Sequence, residues 1–191
     1  MKELILSILF ILCLSFQASA FNPMVVVSGS GGVCVSAATA IGDDSENALS
    51  DVAITNAIFC WQFTASCSGD IDEIKYIAEW QSTEEDSNCG IYDDNADSPG
   101  NLLKDGAVVQ GAGGERDEIT VILDSTLTIT KDVEYWLCIW GEGSFYFWYD
   151  AAGGDLCYTD SGEGAPTATM PASITCDYTG TTKATIWAVT Q

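Results

Sequence analysis

Two short segments in the second half of the chain carry a dense run of aromatic side chains. Residues 134–140 and 145–149 are joined by Gly-Glu-Gly-Ser at 141–144, a strong signal for a β-hairpin. With a three-residue loop, alternation gathers one set of side chains on an outer row, which is Trp136, Trp140, Tyr146 and Trp148. Flat aromatic faces match the apolar faces of sugar rings, and Glu142 and Asp150 could orient hydroxyls or hold calcium. The row therefore predicts a stacking platform for glycans. Alternation on the same two segments also predicts an inner row that faces the core: Tyr135, Leu137, Ile139, Phe145, Phe147 and Tyr149.

Burial of this outer row is the alternative to an open platform. Large aromatic side chains most often fill cores and interfaces, so a second sheet, a loop or a neighbouring subunit would cover them. A two-residue loop would also shift the register and mix the two faces of the hairpin. Of the two outcomes, burial is favoured by the general behaviour of aromatic residues.

Carboxylates with alternate spacing mark a second candidate site, in the acidic loop at 92–100. Asp93, Asn95 and Asp97 repeat the spacing that places oxygens around calcium. Ser98 stands where an EF-hand requires glycine, and Lys104 stands where it requires the closing glutamate, so the loop is not an EF-hand. The loop predicts either a looser calcium site or an acidic turn, and the turn is favoured.

Catalytic chemistry has little support in the residue inventory. The chain has no histidine, which excludes the Ser-His-Asp and Cys-His arrangements. A carboxylate pair could hydrolyse a glycosidic bond, but none of the 28 acidic residues is marked out by spacing or by an apolar setting. We therefore expect a protein that is not an enzyme and requires no cofactor, with calcium as the one candidate ion.

The charge balance restricts the partners. Six basic residues stand against 28 acidic ones, a formal charge of -22. This charge repels phosphate backbones and anionic lipid surfaces, so we expect no nucleic acid and no membrane as partner. Its commoner meaning is a solvated surface, which is favoured over a specific cation site.

The N-terminus and the cysteines indicate export. Residues 1–20 read as a signal peptide, with an apolar run followed by Ala-Ser-Ala, and after its cleavage nothing remains to hold the chain in a membrane. Residues 21–32 read as a strand followed by a Gly/Ser link, and 33–191 as one domain. Cleavage of the signal peptide removes Cys13 and leaves seven cysteines. A zinc site has little support, because the chain has neither a Cys-x-x-Cys pair nor a histidine, so these cysteines are disulfide candidates: Cys34, Cys60, Cys67, Cys89, Cys138, Cys157 and Cys176. The odd count leaves one free thiol or one bond to another chain.

The elements that would position these residues are β-strands. Short β-branched and aromatic runs are separated by Gly, Asp, Asn and Ser clusters, and no long stretch has helical periodicity. Phe59, Trp61 and Phe63 alternate with polar residues in 57–65, and 71–80 alternates in the same way. Strands with one wet face favour antiparallel sheets, and so many strands require two packed sheets. The sequence predicts an all-β, antiparallel, disulfide-braced β-sandwich.

Several motifs between about residues 41 and 149 resemble a jelly-roll module of secreted and surface-exposed bacterial and phage proteins. They are Phe-Thr-Ala at 63–65, Ser-Gly-Asp-Ile at 68–71, Ile-Tyr-Asp at 91–93, Pro-Gly-Asn-Leu-Leu at 99–103, the stretch 123–127 and Tyr-Trp-Leu at 135–137. The resemblance implies a jelly-roll sandwich in which the Pro-Gly-x-Leu-Leu loop joins two strands. It also implies a carbohydrate-binding or adhesive role, since related modules are appended to larger proteins for that purpose.

Three functions follow from these features. The first is a non-catalytic extracellular binding or adhesion module for glycans. The second is a homo-oligomeric subunit of an extracellular fibre, coat or matrix, in which the strand at 24–28 completes a neighbour's sheet and the unpaired cysteine adds a covalent link. The third is a small glycosidase.

Overall fold

The computed structural model describes residues 32–45, 49–52, 57–80, 86–111, 116–142, 145–151, 153–159 and 169–191. The predicted signal peptide, and the predicted N-terminal strand and link up to residue 31, lie outside these ranges. The described strands are β1 Thr39–Asp43, β2 Leu49–Val52, β3 Ala57–Thr64, β4 Gly69–Trp80, β5 Asp86–Asp94, β6 Pro99–Asp105, β7 Val109–Gln110, β8 Arg116–Ile129, β9 Glu134–Gly141, β10 Phe145–Asp150, β11 Leu156–Thr159, β12 Tyr178–Gly180, β13 Lys183–Ala184 and β14 Ile186–Thr190. Within the part of the chain that is described, no helix is long and apolar enough to span a bilayer.

The strands form two antiparallel sheets, which confirms the predicted all-β sandwich. Sheet I has the order β1-β14-β4-β10-β13, with β2 beside β10 and β8 beside β4. Sheet II has the order β12-β11-β3-β9-β5-β6, with β7 beside β5. Two such sheets bury the apolar face of each against the other.

Alternation along β4 shows why these residues form a half-buried strand. Ile74, Tyr76 and Ala78 are buried in the core between the sheets, whereas Lys75 and Glu79 are only partly covered. Strand β3 differs from the expectation of one wet face, because its first five residues are all buried. Both faces of β3 are therefore covered over this part of the strand.

A segment that returns across the outer face of sheet II covers β3. Residues 169–177, here called the covering segment, place Met170 and Ile174 against Ile58, Trp136 and Trp140 in a second apolar cluster. Backbone and side-chain hydrogen bonds hold this segment: its Met170 nitrogen donates to Asp105 over 2.7 Å, and the Tyr92 hydroxyl donates to the Pro171 carbonyl over 2.8 Å. Sheet II is thus packed on two sides, one against sheet I and one against this segment.

Three disulfides brace the fold. They join Cys34 to Cys67, Cys60 to Cys138 and Cys157 to Cys176, across 33, 78 and 19 residues respectively. Loops of these lengths correspond to about 3 to 4.5 kcal/mol each in the chain-entropy account of disulfide stabilisation. The three bonds indicate an oxidising or extracellular environment.

Among the cysteines that the structure describes, Cys89 is the one that forms no disulfide. Its side chain is fully buried in the core between the sheets. Burial also raises the pKa of its thiol well above the ordinary value. Of the two alternatives for the odd cysteine, its burial favours a free thiol over a bond to another chain, because a partner's sulfur would have to reach a fully buried position.

The predicted aromatic hairpin is wrong in its pairing, although both strands exist. β9 pairs with β3 and β5 in sheet II, whereas β10 pairs with β4, β2 and β13 in sheet I. The connection between them therefore crosses from one sheet to the other instead of turning back within one. Short Gly-rich connections serve both purposes, so the local signal could not separate a hairpin from a crossing.

The Pro-Gly-Asn-Leu-Leu motif lies in a strand that follows a tight turn. Residues 99–103 belong to strand β6, and the tight turn before them is closed by the Asn95 nitrogen donating to the Ser98 carbonyl over 2.9 Å. Ala96 and Asp97 take positive φ values of 53° and 62° in this turn. The turn is therefore made by Asn95–Ser98, and Pro99 starts the following strand.

Candidate functional sites

The four outer aromatic residues lie on opposite outer faces of the sandwich. Trp136 and Trp140 face away from sheet I and are buried beneath the covering segment, with 1% and 3% of their surfaces exposed. Phe147 belongs to the core between the sheets, so its neighbours Tyr146 and Trp148 face outward from sheet I, where both are partly exposed. The predicted single platform of four rings is therefore wrong, since its two strands belong to different sheets.

Of the predicted inner row, Tyr135, Leu137, Ile139 and Phe147 are buried in the core between the sheets, and Tyr149 packs partly buried against it. The side chain of Phe145 lies outside the described part of the structure. The two-residue period was therefore assigned correctly on both strands. The error lay only in joining their outer faces.

A groove on the outer face of sheet I takes up the half of the predicted platform on β10. This sheet I groove has a volume of about 370 Å³ and is lined by Asp44, Ile77, Arg116, Asp117, Glu118, Thr185 and Trp187. The guanidinium of Arg116 lies 4.5 Å from the ring centroid of Trp148, a cation–π contact that places Trp148 at the groove's edge. The Thr185 nitrogen donates to the Trp148 carbonyl over 2.8 Å, which fixes β10 beside the groove floor.

Charged pairs organise the groove's acidic side. Lys75 Nζ lies 3.1 Å from Glu118 Oε1 and 3.5 Å from Glu73 Oε1. The hydrogen bond to Glu118, together with the charges of both glutamates, raises the pKa of Lys75. Lys75 therefore holds the Glu118 carboxylate close to the sheet surface.

The two carboxylates predicted to assist the aromatic row are separated. Asp150 is exposed at the end of β10 on the same face as Tyr146 and Trp148, opposite Lys183 in the β10–β13 register. Glu142 lies in the connection between the sheets, where its backbone nitrogen donates to the Asp86 carbonyl over 2.9 Å. Asp150 thus lies on the same outer face as the sheet I groove. Glu142 lies outside both strands, in the connection between them.

A cleft on the outer face of sheet II brings together two residues from separate predicted sites. This sheet II cleft has a volume of about 440 Å³ and is lined by Asp97, Trp136, Asp155, Leu156, Thr179, Gly180 and Thr181. Asp97 comes from the acidic loop and Trp136 from the aromatic row. Strand pairing explains why Asp97 and Trp136 lie close together. Trp136 on β9 lies opposite Tyr92 on β5, and Asp97 follows Tyr92 by five residues.

Hydrogen bonds fix the inner wall of the cleft. Asp94 Oδ1 accepts from Trp136 Nε1 over 2.9 Å and from Gln62 Nε2 over 2.8 Å. The backbone nitrogen of Gln62 donates to the carbonyl of Asp155, the residue before β11, over 3.1 Å. These bonds link strands β3, β9 and β5 with the start of β11 at the cleft's base.

The predicted calcium ligands are not brought together as a set. Asp93 accepts hydrogen bonds from the backbone nitrogen and the side-chain amide of Asn101, so it braces the turn. Asp97 instead lies near Asp94 and Glu134, and one carboxylate oxygen from each lies within 4.8 Å of the others. Sequence reasoning missed Asp94 and Glu134 because their proximity depends on the pairing of β5 with β9, which no local spacing reveals.

The groove and the cleft both fall in the size range of small-molecule sites, about 300–1,000 Å³. They lie on opposite sides of the molecule, one on each outer face. A comparison with models of protein families found no match for this chain, and a comparison with curated proteins found none either.

Proposed function

We propose that this chain is a secreted, non-catalytic module that binds glycans in the sheet I groove. The observation that carries the proposal is the stacking of Arg116 on Trp148 beside a groove lined by Trp187 and three carboxylates. Together these residues combine a planar cation, aromatic surface and anionic acceptors on one rigid sheet. Sites built on strands hold such groups more accurately than sites on loops.

The chemistry of the groove suits a neutral, hydroxyl-rich ligand. Asp44 and Asp117 can accept hydrogen bonds from sugar hydroxyls, and the Arg116 guanidinium can donate to hydroxyl and ring oxygens. Ile77 and the partly exposed rings of Trp148 and Tyr146 provide apolar surface for the faces of a pyranose. A ligand without net charge meets no Coulombic repulsion from the three carboxylates, whereas an anionic ligand would.

The cellular setting supports the same function. The three disulfides fit a protein that works outside the reducing cytosol. The signal-peptide pattern at 1–20 supports export, and the large negative charge supports a surface that stays dispersed in an extracellular fluid. An adhesive or carbohydrate-binding role is consistent with this setting.

A glycan array probed with the chain from residue 21 onward tests the proposal, once with calcium and once with a chelator. We expect a defined set of neutral oligosaccharides to bind. R116K, which keeps the charge but loses the planar fork, and W148A should each weaken binding by about tenfold, corresponding to one charge-assisted hydrogen bond or one ring contact. Y178A is the matched control, since Tyr178 is a 62% exposed aromatic residue on sheet II.

Three results would overturn the proposal. They are an array without any bound glycan in either condition, equal losses in Y178A and W148A, and release of reducing sugar from the bound glycan, which would indicate a glycosidase. Thermal unfolding of each variant verifies that the fold is retained.

The fibre-subunit alternative receives less support. Its covalent link depended on an accessible thiol, and Cys89 is buried. The strand at 24–28 that would be donated lies outside the described residues. Size-exclusion chromatography under non-reducing conditions distinguishes the two functions, because strand donation requires an oligomer.

A further inference from the structure

The sheet II cleft is a second cavity that the proposed function does not use. Its walls come from strands β9, β11 and β12 and from the turn between β5 and β6. Cys157, next to the lining residue Leu156, is bonded to Cys176 of the covering segment. The disulfide therefore ties strand β11, which contributes to the cleft wall, to the covering segment.

The chemistry of the cleft differs from that of the sheet I groove. Asp97 and Asp155 line it, and among its described lining residues none is basic. Thr179 and Thr181 add hydroxyl groups that both donate and accept hydrogen bonds. Trp136 forms part of the wall, with its indole nitrogen already committed to Asp94. The cleft therefore offers two carboxylates that can accept hydrogen bonds from a cation, and two threonine hydroxyls that can pair with hydroxyl groups of a ligand.

We propose that the sheet II cleft binds an oligosaccharide that carries a free amino group. The ammonium of an amino sugar would donate to Asp97 and Asp155, and its ring hydroxyls would pair with Thr179 and Thr181. A lysine side chain shares the ammonium but has no hydroxyl groups, so the two threonines favour the amino sugar. The cavity of about 440 Å³ has room for more than an isolated ammonium group.

This inference does not depend on glycan binding in the sheet I groove. The two sites lie on opposite outer faces and share no lining residue. If both are occupied, one molecule holds two saccharides on opposite sides and can join separate glycan chains.

Calorimetric titration of the chain with a glucosamine hexasaccharide, and with its fully N-acetylated counterpart, tests the inference. N-acetylation converts the ammonium into a neutral amide and leaves the ring hydroxyls in place. We expect one binding site for the amino form, binding weakened at least tenfold in the N-acetylated form, and affinity that falls as salt rises. A hexalysine peptide separates the ammonium contribution from the sugar contribution and should bind at least tenfold more weakly than the amino sugar.

D97N and D155N should each weaken binding of the amino form about tenfold, while retaining side chains of nearly the same size. D124N is the matched control because Asp124 is exposed on β8 and its removal changes the net charge equally. Equal losses in D124N and D97N would overturn the site in favour of a general charge effect. Equal affinity for hexalysine or for the N-acetylated sugar would overturn the ligand class. R116K must retain amino-sugar binding, which separates this result from a failure of the sheet I groove.

Discussion

The indole nitrogen of Trp136 donates a 2.9 Å hydrogen bond to Asp94 Oδ1. Gln62 donates to the same oxygen, so one carboxylate links strands β3, β5 and β9 at the base of the sheet II cleft. The sequence predicted that the ring face of Trp136 would contact a ligand, but the side chain is instead held by the hydrogen bond of its indole nitrogen. Its ring packs beneath the covering segment and its polar atom orients an acidic side chain.

Replacing Trp136 with phenylalanine should remove this donor while keeping an aromatic ring. We expect the free energy of unfolding to fall by about 1.5 to 3 kcal/mol from the charge-assisted hydrogen bond, with a further loss from the smaller ring. Urea denaturation of W136F, D94A and the double variant measures the coupling. Purely additive losses would contradict the hydrogen bond's contribution.

Cys89 should be unreactive in the native protein. Its thiol is fully buried, and burial raises its pKa, so little thiolate is available to react. In the chain from residue 21 onward, a disulfide-exchange thiol reagent should detect no thiol natively and one per chain in guanidinium without reductant. Rapid native labelling, or more than one thiol after unfolding, would contradict the disulfide pattern.

Loss of the Cys157–Cys176 disulfide should loosen the covering segment selectively. C176S should lower the free energy of unfolding by about 3 kcal/mol, as expected for a loop closed across 19 residues. Limited proteolysis followed by mass spectrometry should then find new cleavage within residues 169–177. The C67S variant is the control, since its bond lies at the Cys34 end of the described chain and should leave that segment protected.

The Lys183–Asp43 ion pair should make stability depend on acid. Lys183 Nζ lies 2.8 Å from Asp43 Oδ2, and the Ser45 nitrogen donates to Asp43 Oδ1 over 2.9 Å. Partial burial opposes ionisation of Asp43, but the hydrogen bonds from Lys183 and Ser45 outweigh it and lower its pKa below 3.8. Because the folded pKa is lowered, this stabilisation is complete above the unfolded value and is lost as pH falls through the folded value.

K183M tests this dependence, with K104M as a control lysine. At neutral pH, K183M should cost about 0.5 to 1 kcal/mol, a small value because the lysine is partly exposed. The difference from the unmodified protein should persist down to about pH 5 and vanish below the folded pKa of Asp43. A difference that grows as pH falls would contradict the assignment.

The sandwich could be predicted from sequence because a two-residue period is a local property. Alternation identified the buried side of β4 and the inner residues of β9 and β10. The pairing of strands could not be predicted in the same way, since a Gly-rich connection after Trp140 permits either a hairpin or a crossing between sheets. Because of this ambiguity, the sequence placed Trp136 and Trp148 on one face, whereas they lie on opposite outer faces of the sandwich.

The same limit applies to the candidate sites: the sequence marks single residues, but it does not show which of them lie together in the fold. Asp97 and Trp136 were each marked by sequence, but for different sites, and only the β5–β9 register places them in one cleft. Arg116 was not marked at all, because nothing local indicates that it reaches Trp148 from β8. Burial of Trp140 likewise depends on a segment about 30 residues further along the chain.

Strand β14 lies between β1 and β4 in sheet I, so residues 186–190 connect strands from the beginning of the described chain. Until these residues have been synthesised, β1 has no hydrogen-bonded neighbour within this sheet's order. Completion of sheet I must therefore follow translation of this strand, and the predominance of contacts between residues distant in sequence predicts slow folding. Such a delay would suit the export that we propose for this chain, because a polypeptide crosses a translocation channel before it folds.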